Sequence, residues 1–223
     1  MMPLLDRLAQ LGVPHMANDN IAADVDARAL AIMEREAGVA IRQLLAALAI
    51  DVDNDQNTRD TPRRVAKMLV RELYWGRYQP QPEVTSFDNT RQVDEVYTVG
   101  PITVRSTCSH HLVPVLGKVW VGVLPGQRLI GLSKFARLAQ WVMARPQIQE
   151  EATAQLADLL CQVIDPRGLA VVMRAEHLCM TLRGVRDHDT TMVTSVMRGA
   201  FLTNGDARAE FLRLIAGQGY AHG

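Results

Sequence analysis

Apolar residues first fall into register after Asp24. Leu30, Met33, Ala37, Ile41, Leu44 and Leu48 recur every three or four positions, the interval that lays one stripe along a helix. The polar stretch 51–60 breaks the pattern. Thr61 and Pro62 open a second helix: Thr61 is a good N-cap, and proline suits the first helical position because its missing N–H would have no partner there. Val65, Met68, Leu69 and Leu73 give that helix its buried face, and the prolines of 78–82 end it. Beyond residue 90 the period changes. Val93, Val96 and Val99, then Ile102 and Val104, are β-rich, and Val119, Val121 and Val123 alternate as a half-buried strand does. Gly117 and Pro125-Gly126 are read as turns. Ser133 is expected to cap a third helix carrying Phe135, Leu138 and Val142. Pro146 interrupts it, and a fourth helix carries Ile148, Ala152, Leu156, Leu159 and Val163. The turn 165–168 leads into a predicted central strand, 169–182, and a further strand follows over 191–201. Asp206 is expected to cap a last helix ending near Ile215.

Helices, strands, two helices, strands, helix is an α+β order rather than an alternating one. The expected arrangement is an antiparallel sheet with a helix pair on one face. Three segments are expected: a loosely organised, flexible lead-in at 1–23, a helical region at 24–90, and the sheet domain at 91–223.

Composition narrows the partners. Lys and Arg total 24, as do Asp and Glu, so there is no overall field to attract nucleic acid or a membrane surface. An anionic ligand needs a local basic cluster. The 48% of hydrophobic residues in 223 positions can fill a sizeable core. No apolar run is long enough to span a bilayer, and the first residues make a poor signal peptide because Asp6 and Arg7 interrupt them. A cytoplasmic protein is the expectation.

Three widely spaced cysteines, Cys108, Cys161 and Cys179, are a poor disulfide framework. Two lie beside histidines. Cys108 precedes His110 and His111, and Cys179 follows His177. Thiolate and imidazole suit a borderline-soft cation such as zinc, and three protein ligands leave a position for water, the pattern of a catalytic site. Spacing does not say which histidine is the ligand. Cys161, in a helix stripe, reads as a small hydrophobe. Lys134 and Arg137 near a helix start, Arg183 and Arg186 around Gly184, and Arg63 and Arg64 after the Thr-Pro pair could hold phosphate oxygens. Glu150 could accept two parallel hydrogen bonds from a guanine edge, or be a surface charge beside Glu151.

Several motifs in order resemble the type I GTP cyclohydrolase family. They are Ser106 to His111, Ile130 to Lys134, Arg145 to Glu150, His177 to Met180, Arg183 to Arg186 and Val193 to Ser195, with Asp60 to Met68 upstream. The match runs from about residue 27 to residue 215. The resemblance implies Cys108, His111 and Cys179 as zinc ligands. It implies His110 as the acid–base group at purine N7, His177 as an assistant at the attacking water, and Ser133 as a helper in the ribose rearrangement. Lys134, Arg137, Arg183 and Arg64 would hold the triphosphate and ribose, and Gln149 and Glu150 would read the base. It implies the tunnelling fold, an antiparallel sheet with two antiparallel helices on one face that closes into a β-barrel ring. It also implies a decamer of two pentamers with active sites between subunits, GTP as substrate, and a pterin triphosphate and formate as products. Two places depart from the pattern. Asn57 and Thr58 stand where the family usually has Gly and Leu upstream of the Thr-Pro pair, and Ser109 stands where it usually has Glu. The second departure keeps a paralogue with altered or absent turnover as the alternative.

Overall fold

The computed structural model describes residues 4–220. The chain divides into two compact units, 1–80 and 81–223.

The first unit is helical. Helix α1 spans Leu4–Gln10, α2 Ala27–Ala47, α3 Thr61–Lys67 and α4 Trp75–Tyr78, with a π-helical turn at Met68–Leu73 joining the last two. The expected lead-in therefore contains a helix. Leu8 is its anchor: it is 2% exposed and packs with Ile21, Val25, Leu30 and Val70. The segment after α1 is fastened by Arg77, whose guanidinium donates to the carbonyls of His15 (2.9 Å), Ala17 (3.1 Å), Asp19 (2.9 Å) and Met16. That use of an arginine leaves no periodic trace in a sequence. Asp26 caps α2, accepting from the Ala29 N–H at 2.7 Å. Of the α2 stripe only Leu30 is buried, and Leu44 and Leu48 remain exposed.

The second unit is the α+β part. Strands β1 (Ser86–Asp88) and β4 (Arg128–Ile130) form a small antiparallel ribbon. The main sheet has the order β5-β2-β3-β6-β7. Its strands are β2 (Tyr97–Cys108), β3 (Pro114–Leu124), β5 (Pro146–Gln147), β6 (Gly168–His177) and β7 (Met192–Gly199). All pairings are antiparallel except β2 with the short β5. Alternation along the strands separates two faces. Trp120, Ala170 and Val172 face a cluster with Phe201, Phe211 and Ile215, supplied by α8 (Ala200–Thr203) and α9 (Gly205–Ile215). Helices α5 (Leu132–Met143) and α6 (Gln149–Ile164) pack on each other and on β2, β6 and β7. Phe135, Leu138 and Val142 on α5 and Ala152, Leu156 and Leu159 on α6 are buried as the periodicity gives. Ile148 and Val163 are only half-buried, and Leu160 and Ile164 complete the α6 stripe instead.

Five local readings need correction. The caps of α3 and α5 fall on Asp60 and Gly131, and the expected caps Thr61 and Ser133 lie inside the helices. Gly117 is not a turn. It lies inside β3, where a Cβ would come within 2.3 Å of the Arg174 carbonyl oxygen, so glycine is there for close strand approach. The strand expected over 169–182 stops at His177, the last residue to pair with β3. The chain then turns into a one-turn helix, α7 (Leu178–Thr181). The cap of α9 is Asn204, whose side chain accepts from the N–H groups of Asp206 (2.9 Å) and Ala207 (3.3 Å).

Candidate active site

One end of the main sheet gathers the metal-binding residue types. Strand β2 ends at Cys108, and a tight turn follows: Cys108 N–H donates to Val113 O and Leu112 N–H to Cys108 O, both at 2.9 Å. Leu112 takes a positive φ of 54° to close it. His110 and His111 sit on this turn, both exposed. Next to Cys108 lies Gln147 of β5, its register partner. Across β3, Val115 pairs with His177, so α7 and its Cys179 start beside the turn. Sheet register thus unites segments that are distant in sequence.

The Sγ atoms of Cys108 and Cys179 and a ring nitrogen of His111 all lie within 4.8 Å of one another. Two thiols and one imidazole at that spacing form a donor set for a single soft or borderline cation. Cys179 does not lie on the strand expected over 169–182; it reaches the cluster from α7. Burial pushes the Cys179 thiol above its ordinary pKa, the adjoining Cys108 thiol adds to this, and Arg183 pulls it back in part. Binding of a metal there would release a proton. His110 stands next to this set, its Nδ1 3.8 Å from Cys108 Sγ.

A cavity of about 420 Å³ opens over the cluster, lined by Cys108, His110, Glu150, His177, Cys179 and Gln149 among others. That volume is in the range of small-molecule sites. Glu150 is exposed at the first turn of α6. Burial lowers the pKa of His177, opposed by the Glu150 carboxylate. Gln149 lines the cavity but is 3% exposed, and its amide is bonded to protein atoms: Oε1 faces His177 Nε2 at 2.8 Å, and Nε2 donates to Met173 O, Met192 O and Thr194 Oγ1. The side chain expected to read a base is thus spent on the protein, and this use was invisible in the sequence.

The remaining expected residues lie elsewhere. Ser133, Lys134 and Arg137 occupy the first turns of α5, with Lys134 Nζ donating to Glu83 O at 3.2 Å. Arg183 is exposed after α7. None of these four lines the cavity. Arg64 belongs to the first unit, on α3, with its guanidinium 3.5 Å from the Asp60 carboxylate.

The sequence model of the family described as GTP cyclohydrolase I matches residues 37–216. The chain belongs to this family. The GTP cyclohydrolase 1 of Mycobacteroides abscessus is 45% identical over 184 residues, covering 82% of this chain and 89% of the relative. That of Mycobacterium tuberculosis H37Rv is 46% identical over 186 residues, covering 82% and 90%. Among solved structures, an archaeosine synthase QueF-Like in the apo form matches at a TM-score of 0.37 and 12% identity, covering 54% of this chain and 97% of the other. No helix among the described residues is long and apolar enough to cross a membrane.

Proposed function

We propose that this chain is a zinc-dependent GTP cyclohydrolase I, hydrolysing GTP to 7,8-dihydroneopterin triphosphate and formate. The observation that carries the reading is the Cys108, His111 and Cys179 donor set at the edge of a cavity also lined by His110, Glu150 and His177. Two thiolates and an imidazole match the ligand preferences of zinc and leave a coordination position open. When bound, zinc supplies a Lewis acid that makes water a nucleophile near neutral pH.

The side chains divide the remaining work. Glu150 accepts the N1–H and 2-amino hydrogens of guanine, which orients the five-membered ring toward the cluster. His110 donates a proton to N7, so that C8 becomes electrophilic. His177 takes a proton from the attacking water. A second hydrolysis frees formate, Ser133 assists rearrangement of the ribose, and ring closure yields the pterin. Lys134, Arg137, Arg183 and Arg64 hold the triphosphate, which is not cleaved and contributes orientation.

This reading carries the family's tunnelling fold, its β-barrel ring and its decamer of two pentamers in the cytoplasm. Active sites between subunits account for binding residues that do not line the cavity of a single chain.

The test is to incubate the zinc-loaded protein with GTP, oxidise, and measure fluorescent neopterin together with formate. Both should appear. GTP binding without formate at full zinc content would instead establish a non-hydrolysing paralogue, the outcome for which Ser109 is the one departure in the motif.

A further inference from the structure

Gln149 stands at the first position of α6 with its side chain turned inward. The chemistry of its neighbours fixes which groups donate and which accept, with the two Nε2 hydrogens shared among three acceptors. Met173 O and Met192 O, each 3.2 Å from Nε2, are backbone carbonyls and accept only. The atom facing them must therefore be the amide nitrogen, because an oxygen there would confront two acceptors. Thr153 Oγ1 donates its one proton to Gln149 O at 2.7 Å. The 2.7 Å contact between Thr153 and Thr194 must then be donated by Thr194. Thr194 Oγ1 is left as an acceptor for Gln149 Nε2 at 3.1 Å. Gln149 is 3% exposed and Thr153 fully buried, with Met192 and Thr194 half-buried, which limits the access of water to these bonds. An amide held this way cannot flip.

Gln149 Oε1 consequently points at His177 Nε2, 2.8 Å away. An amide oxygen accepts only, so Nε2 must carry the hydrogen. In the neutral ring Nδ1 is then unprotonated, and it makes no hydrogen bond to any described residue. His177 lines the cavity.

We infer that Gln149 is a positioning residue that locks His177 in the Nε2–H tautomer and leaves Nδ1 as the nitrogen that serves the substrate. The partner on one ring nitrogen sets the role of the other. The inference rests on the proposed function for its catalytic consequence, namely that the proton is accepted at Nδ1, and on hydrogen bonding alone for the tautomer. It moves Gln149 from reading guanine to orienting the histidine, which leaves base recognition to Glu150.

Two measurements on the zinc-loaded full chain test it. The first is the ¹⁵N spectrum of histidine-labelled protein, with His177 assigned by its loss in His177→Gln. Nε2 should be proton-bearing and Nδ1 unprotonated; the opposite tautomer, or an averaged mixture, overturns the inference. The second is steady-state kinetics and zinc content of Gln149→Met. The expected result is a kcat lowered on the order of tenfold or more, part of the ~10²–10⁴ that an acid–base group contributes, with KM for GTP within about twofold and zinc retained. A KM that rises as much as kcat falls makes Gln149 a substrate reader, and an unchanged kcat removes its positioning role; either overturns the inference. The wild-type spectrum decides the tautomer even if Gln149→Met does not fold. A wild-type chain with the expected tautomer that releases no formate removes the functional reading and spares the tautomer; turnover with the opposite tautomer does the reverse.

Discussion

His177 faces Val115 across the β3–β6 ladder as the last pair in the register. One residue further, the chain leaves the sheet for α7 and brings Cys179 to the turn that holds Cys108 and His111. The donor set is thus a product of where two strands stop. Either cysteine should be indispensable to it. Cys108→Ala and Cys179→Ala are each expected to lose bound zinc and formate release together, as judged by elemental analysis and the GTP assay. Chelation of the wild type should abolish turnover, and added zinc should restore it.

The two adjacent histidines should separate cleanly. His110→Ala is expected to keep zinc and lose roughly 10²–10⁴ in kcat, the usual contribution of a general acid. His111→Ala should lose both. Zinc analysis alongside turnover checks the assignment, and loss of metal from His110→Ala would exchange the two roles.

Glu150 is proposed to face the guanine edge, so its effect belongs in binding. Glu150→Gln should raise KM for GTP by about 10- to 100-fold, given ~1.5–3 kcal/mol for a hydrogen bond to a charged group. The variant should also discriminate less than the wild type between GTP and ITP, which lacks the 2-amino group. Competition kinetics with both nucleotides measure this.

The periodic parts of the chain were readable because burial on one face forces a repeat. The stripe of α5 and most of that of α6 fall where their spacing puts them. Val119, Val121 and Val123 are buried, but so are Trp120 and Gly122 between them, so β3 is covered on both faces there rather than half-buried. The cysteine and histidine motifs were legible for a different reason, as donor types rare enough to stand out in adjacent pairs. What stayed hidden depends on partners far away in sequence. The role of Gln149 needs Met173, Met192 and Thr194, and that of Arg77 needs four carbonyls around residue 17. Gly117 looked like a turn because the approach of Arg174 and Ala175, which excludes a side chain there, is a tertiary fact.

Gly117→Ala tests that reading. An added methyl would meet Arg174 O at 2.3 Å and Ala175 Cβ at 2.6 Å. A stability loss of about 1–3 kcal/mol is expected from overpacking, measured by urea unfolding. Because the strain falls two pairs from His177, zinc affinity should fall as well.

Cys161 offers a contrast to the donor thiols. Burial pushes its pKa up, the Asp158 carboxylate adds to this, and Arg198 opposes it. Only the thiolate is nucleophilic. In zinc-loaded protein Cys161 should therefore alkylate more slowly than an ordinary free thiol at neutral pH, and its reactivity should rise only at higher pH. Asp158→Asn removes a negative neighbour, lowers the pKa and should speed the reaction; Arg198→Ala should slow it. Mass spectrometry of the alkylated peptide follows both.

The hairpin of β2 and β3 forms from neighbouring stretches of chain, but Cys179 arrives only once β6 has docked beside β3. During synthesis, the histidine turn emerges well before its second sulfur. A nascent chain therefore cannot chelate an ion with both thiols until the central ladder has closed. Metal capture becomes a late event that reports on the finished sheet, and a truncated or misregistered product stays metal-free.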